Sequence, residues 1–245
     1  MLVQQRPLST YDLLKTAMIV IMIVDHIGYF FFPDDLTWRA VGRWGAPAWF
    51  FLAGYAARRG KSDLMLWLAA ALMTVMKIFV LGQIWPLTIL LNLALARAFA
   101  AYSGDFFLRQ PILFIPLFIV TAAGNAPLYP LLEYGALPFM FGIWGYMARN
   151  AHFKQTQQSA YLLSAAAIVF FISQQIDVFS FTLFDTLIMA GGTLSMYAAL
   201  LAFRPYPIAG AGFLTPVIAF CGRQTLPIYI VHYLAFGIIA AFFRA

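Results

Sequence analysis

Apolar residues run along this chain in long unbroken blocks separated by short polar joints, with no sustained alternation. The first block, residues 13–32, is long enough to cross a hydrocarbon core as a helix, which takes about 20 residues. Further blocks lie at 44–57 (short), 64–81, 86–102, 111–123, 128–148, 159–176 and 181–203. A last stretch, 213–243, is interrupted by Gly222-Arg223-Gln224. Read as helices, the blocks predict about eight or nine spanning segments, allowing for tilt and one short or re-entrant piece. The joints are a few residues long and rich in Gly, Pro and Asn, as in Gly82-Gln83-Ile84-Trp85-Pro86 and Gly124-Asn125-Ala126-Pro127. They leave no room for an extramembrane domain, so residues 1–245 read as one all-α, polytopic membrane bundle. Continuous runs argue against a transmembrane β-barrel, and no repeat signals an inverted-repeat transporter. The opening MLVQQRPLSTYD lacks the regions of a cleaved signal peptide, so the first block is expected to be a retained helix.

Composition removes the soluble alternative. Hydrophobic residues make up 63% and charged residues 10%, against roughly 45–50% and 25% in soluble domains. With a mean hydropathy of +0.85, too little polar surface exists to cover a water-soluble globule. The net charge of +6 would suggest nucleic acid in a soluble protein. Here the basic residues sit in the joints, where positive charge sets membrane orientation, so the expected partner is a lipid bilayer and not a nucleic acid. One set of alternate joints holds Arg6 and Lys15, then Arg58, Arg59 and Lys61, then Arg109, then Arg149 and Lys154, then Arg204. The other holds Arg39 and Arg43 and almost nothing basic afterwards. The first set should face the cytoplasm, and with it the N-terminus. The single cysteine, Cys221, excludes an intrachain disulfide, and with only three histidines no metal site is expected.

Titratable side chains inside a bilayer cost at least a few kcal/mol, which makes each one a functional candidate. Asp25 and His26 fall in the outer half of the first helix, Lys77 near the outer end of the third, and Glu133 near the outer start of the sixth. Asp185 falls near the outer start of the eighth and His232 within the last. Lys77, Glu133 and Asp185 also admit a bland reading, snorkelling or mutual pairing. Arg97 reads as an interface anchor and His152 as a solvated loop residue. Asp25 and His26 are harder to explain that way, because two adjacent polar groups deep in one helix do not both reach an interface cheaply. Lys15 and His26 are eleven residues apart, so they share one face about 16 Å apart along the axis. A cation at the mouth and a neutral imidazole at depth suit a long anionic ligand entering from the cytoplasm, and acyl-coenzyme A has that form. Asp25 points about 100° away from His26, towards whichever of Arg39, Arg43 or Lys77 packs there.

The stretches LLKTAMIVIMIVDHIGYFFFP and WRAVGRWGAPAWFFLAGYAARR resemble the N-terminal signature of the TraX family. In that signature a Leu-Lys precedes an apolar helix ending in Asp-His-Ile-Gly, followed by an Arg-x-x-Gly-Arg segment and a Phe-x-x-x-x-Gly-Tyr run. The family's namesake acetylates the N-terminal amine of conjugative pilin. CGRQTLPIYIVHYLAF is similar to the end of the broader transmembrane acyltransferase superfamily, in which a basic residue before a first-helix histidine recurs, as Lys15 precedes His26 here. The resemblance covers residues 13–60 and 217–236, and only hydropathy supports it between them. The O-acylating branch carries Arg-x-x-Arg in a later helix, whereas this chain has Arg39-x-x-x-Arg43, which favours the TraX branch.

The resemblance implies a single transmembrane acyltransferase-like domain in a bacterial inner membrane. It would move acetyl from cytosolic acetyl-CoA to an amine or hydroxyl of an acceptor protein, glycan or lipid. Lys15, with Arg58 and Arg59, would hold the coenzyme phosphates. His26 would act as base or transient acyl carrier. Arg43 or Arg39 would stabilise the oxyanion or hold an anionic acceptor, with Asp25 in the same catalytic group. His232 and Tyr229, with Glu133 and Lys77, would form the opposite wall. Two other readings of the same residues stay open: a non-catalytic membrane subunit of a larger complex, and a small proton-coupled transporter using Asp25, His26, Glu133 and Asp185 as a relay.

Overall fold

The computed structural model describes residues 7–60, 63–150, 154–209 and 212–244, and the regular elements among them are all helices, with no strand. Arg6, Lys61 and His152 lie outside the described residues. In chain order the helices are α1 (Thr10–Phe31), α2 (Leu36–Gly42), α3 (Ala46–Tyr55), α4 (Leu64–Leu81), α5 (Ile89–Arg109) and α6 (Phe114–Leu128). They continue as α7 (Leu137–Asn150), α8 (Lys154–Phe179), α9 (Leu183–Leu201), α10 (Thr215–Arg223) and α11 (Thr225–Arg244). Local chemistry sets several of the starts. Ser9 and Asp12 form a reciprocal capping box on α1. Asp35, Asp63 and Thr182 each accept a backbone N–H at the start of α2, α4 and α9.

Among the described residues, five segments are long and apolar enough to cross a membrane: Thr10–Phe31, Pro111–Leu128, Thr156–Phe179, Leu183–Leu201 and Thr225–Phe243. By that measure the expected eight or nine segments are not reached, because α3 and α7 are only 10 and 14 residues long. Of the ten residues of α3, seven are buried, and in α7 the whole run 140–147 is buried. Protein surrounds these apolar runs. In the sequence that pattern cannot be told from a helix surrounded by lipid. α5 is long enough to span but carries Asn92, Arg97 and Asp105.

Two boundaries also differ from expectation. The Gly124-Asn125-Ala126-Pro127 joint is helical, with Pro127 inside the last turn of α6, where the helix gives up one i→i−4 hydrogen bond just before it ends. The next run starts later than residue 128. Residues 129–136 form a loop in which Tyr134 (φ 67°) and Gly135 (φ 56°) are left-handed, and Asn125 Oδ1 accepts the Ala136 N–H. Glu133 therefore sits in a loop and not at the start of a helix. The break at Gly222-Arg223-Gln224 separates α10 from α11 as expected.

The core forms where α7 packs between α3 and α5. A Cβ on Gly54 would overlap the Gly142 carbonyl, and one on Gly145 would overlap the Phe51 carbonyl, so α3 and α7 touch backbone to backbone. α1 lies against α2, α10 and α11. Its first residue is tied down by Thr10 Oγ1 donating to the Arg204 carbonyl at 2.6 Å, and Tyr11 packs on Tyr55 and Phe203. Arg149 donates to the Tyr55 carbonyl at 3.0 Å. The start of α1 and the ends of α3, α7 and α9 thus gather at one end of the bundle. At the other end Thr37 of α2 donates to Asp185 of α9 at 2.9 Å, and Leu87 pairs with Leu131.

Candidate functional site

The helical repeat places Arg39 and Arg43, four residues apart, on one face of the segment that follows the turn at Pro33 and Asp34. That segment folds back along α1, and the close approach depends on two glycines. A Cβ on Gly28 would overlap Trp38, and one on Gly42 would overlap the Asp25 carboxylate. Both arginines reach Asp25 as a result. Arg43 Nη2 donates to its two oxygens at 2.6 and 2.7 Å, and Arg39 Nη1 donates to Oδ2 at 2.7 Å and to the Asp25 carbonyl at 3.1 Å. Arg43 also donates to the Tyr134 hydroxyl from Nη1 and lies over the Tyr134 and Phe179 rings. Asp25 is 8% and Arg43 5% exposed, so this is a buried ion cluster. Two guanidinium groups share one carboxylate, which leaves one positive charge in excess. Buried Arg43 Nε has no hydrogen-bond partner among the described groups.

His26 turns the other way, towards α11. Its Nδ1 lies 2.6 Å from Nε2 of His232, and the two rings meet edge to edge, with centroids 4.9 Å apart and planes inclined by only 20°. His232 Nδ1 in turn lies 2.6 Å from the Ile228 carbonyl oxygen. Tyr229 and Tyr233 meet the His26 ring edge-on at 5.7 and 5.2 Å, and Phe30 does so at 6.4 Å.

One cavity of about 430 Å³ runs beside these groups, within the range of about 300–1,000 Å³ that small-molecule sites occupy. α1 lines it with Tyr11, Lys15, Met22, His26 and Tyr29, whose spacings of three, four and seven residues mark a single helix face. Lys15, Asp63 and Arg97 stand at one end, and Asp25, His26, Arg39, Arg43, Lys77, Glu133, Tyr129 and Tyr134 at the other. Between them the wall is apolar, made by Leu52 and Ala53 of α3, Leu66 of α4, and Leu90 and Leu93 of α5. The cavity is thus charged at both ends and greasy in the middle.

Most of the residues singled out from the sequence meet on this cavity: Lys15, Asp25, His26, Arg39, Arg43, Lys77, Glu133 and Tyr229. His232 does not line it. It backs His26 instead of facing it across the site. Arg58 and Arg59 are exposed beyond the end of α3. Arg58 borders a smaller depression of about 210 Å³ that shares Asp63 and Arg97 with the main cavity. Of the three cations open to Asp25, Lys77 goes elsewhere and donates to the Pro86 carbonyl. Asp185 accepts from Thr37 and Thr182 and serves the start of α9. Arg97 pairs with Asp63 at the cavity mouth. Sequence reasoning missed Tyr134, Tyr129, Tyr233 and Asp63. Tyr134 had no signal to find, because it lies in a loop hidden inside an apolar run.

Fold and site together define an all-helical membrane protein with a polar-ended cavity built around α1. No family model matches the chain, and no solved structure matches it. A protein of Rickettsia prowazekii (strain Madrid E), named "Uncharacterized protein RP591", is 24% identical over 154 residues. The match covers 61% of this chain and 60% of that relative's length, and the relative's name states no activity.

Proposed function

We propose that this chain is a membrane-embedded acetyltransferase that carries acetyl from cytosolic acetyl-CoA to an amine or hydroxyl of a protein, glycan or lipid acceptor. The supporting observation is the position of His26 on a cavity wall, with a cationic mouth at Lys15 and the surplus charge of Arg39 and Arg43 beside it. The coenzyme phosphates would rest near Lys15, with exposed Arg58 and Arg59 at the approach, and the pantetheine arm would follow the apolar waist. The acceptor's nucleophilic atom attacks the thioester carbonyl carbon while His26 takes its proton. The negative charge that develops on the carbonyl oxygen is stabilised by the arginine pair. The C–S bond then breaks, and the departing thiolate takes the proton from His26. The products are acetylated acceptor and free coenzyme A.

On this reading α2–α3, α4, α5 and α7 complete about eight or nine segments of a bacterial inner-membrane protein whose N-terminus is cytoplasmic. The gathering of Arg149 and Arg204 at the start of α1 supports that orientation. Purified protein incubated with labelled acetyl-CoA is expected to transfer or hydrolyse the label. His26→Gln is expected to lose about 10²–10⁴ in rate while still binding the coenzyme. A folded His26→Gln protein that turns over at the wild-type rate refutes the role given to His26. Wild-type protein that binds acetyl-CoA but never releases the label refutes the enzyme, and leaves the accessory-subunit reading standing.

A further inference from the structure

We infer that His232 is a positioning residue that holds His26 as the Nδ1–H tautomer and leaves Nε2 of His26 as the basic atom. The catalytic meaning of that arrangement rests on the acetyltransferase reading, but the tautomer itself does not.

The assignment follows from what each atom can do. A carbonyl oxygen only accepts, so the 2.6 Å contact from Ile228 puts a hydrogen on Nδ1 of His232. A neutral imidazole with its hydrogen on Nδ1 has its lone pair on Nε2. That lone pair faces His26 Nδ1 at 2.6 Å. Two nitrogens so close need one hydrogen between them, and His232 has none left to give. His26 Nδ1 therefore donates, and its own lone pair is on Nε2. A charge on either ring would lack an anion to offset it. Asp25, the neighbouring carboxylate, is committed to Arg39 and Arg43, and the rings around the pair are Phe30, Tyr229 and Tyr233.

His26 lines the cavity and His232 does not, so His232 can act only through His26. The relay from Ile228 through His232 to His26 does for this histidine what a buried acceptor does for the base of a catalytic triad: it fixes the tautomer and the ring plane. When His26 Nε2 gains a proton, its Nδ1–H bond to His232 is already in place and strengthens with the charge. No group has to move.

The sequence has three histidines, so ring ¹⁵N spectra of the full-length protein are simple to assign, with His152→Asn and His232→Phe identifying the signals. His26 and His232 are each expected to show a protonated Nδ1 and an unprotonated Nε2. His26 with a protonated Nε2 in the neutral state overturns the inference. In turnover, His232→Phe keeps a ring but removes the acceptor, and kcat should fall roughly 10²-fold or more while the KM for acetyl-CoA stays put. His232→Gln, whose amide oxygen can accept from His26, should recover at least about tenfold of that loss. A His232→Phe protein with wild-type kcat also overturns the inference. If the wild-type protein moves no acetyl group, the acetyltransferase reading falls, and the ring spectra alone still decide the tautomer.

Discussion

Replacing Asp25 by asparagine is expected to damage the fold before it touches any chemistry. The substitution trades one carboxylate oxygen for an NH₂ group and removes the negative charge that Arg39 and Arg43 share. Arg43 Nη2 reaches both oxygens, at 2.6 and 2.7 Å, and Arg39 Nη1 reaches Oδ2 at 2.7 Å. However the amide is turned, at least one guanidinium N–H then faces another donor. The side chains of Arg43 and Arg39 are only 7% and 15% exposed, so water cannot readily take over the lost role. Removing one partner from a buried ion pair costs about 3–5 kcal/mol, and here two cations depend on one partner, which places the expectation at the upper end. Gly42 already packs directly against the Asp25 side chain, so the segments are in close contact there. Reversible unfolding in mixed micelles, followed by tryptophan fluorescence, would read the loss. Asp25→Asn combined with Arg43→Gln should be less destabilised than the sum of the two single variants, because each removes the other's unpaired group. Asp25→Asn unfolding within about 0.5 kcal/mol of wild type would refute the anchoring role and return Asp25 to the chemistry.

At the opposite end of the cavity, Lys15→Ala should weaken acetyl-CoA binding while leaving the fold intact. The loss should shrink at high salt, as the screening length falls from about 8–10 Å at ordinary ionic strength to about 3 Å at 1 M; unchanged affinity by direct titration moves the phosphate site to Arg58 and Arg59. A reporter fused after Gly60 should read cytoplasmic and one after Asp35 extracytoplasmic, and the reverse result would turn Lys15 away from the coenzyme. Gly54→Ala forces a methyl into the Gly142 carbonyl, so α3 and α7 must part. The expected cost is about 1–3 kcal/mol in the same unfolding assay, and an unchanged midpoint would show that the two backbones are not in contact.

Several features were legible because they depend only on local spacing. The 63% apolar composition marks a membrane protein before any helix is drawn. The block at 64–81 is α4, and the polar break at 222–224 is where α10 gives way to α11. Lys15 and His26 line one cavity because eleven residues make three helical turns wherever the helix is placed. Arg39 and Arg43 act together for the same reason, being one turn apart.

What occupies each face could not be read that way. The apolar runs of α3 and α7 read like lipid-facing helix, yet their neighbours are protein, and an apolar side chain carries no mark of which apolar medium it will meet. Asp25 had three cations within plausible reach, and the small residue at Gly42 lets the arginines approach it while Lys77 turns to the Pro86 carbonyl. His26 finds His232 across 206 residues of chain, and no local period links positions that far apart. Helical geometry sets the direction in which a side chain leaves its own axis. The partner it meets depends on how closely the next axis can pack, and that is a property of both helices at once.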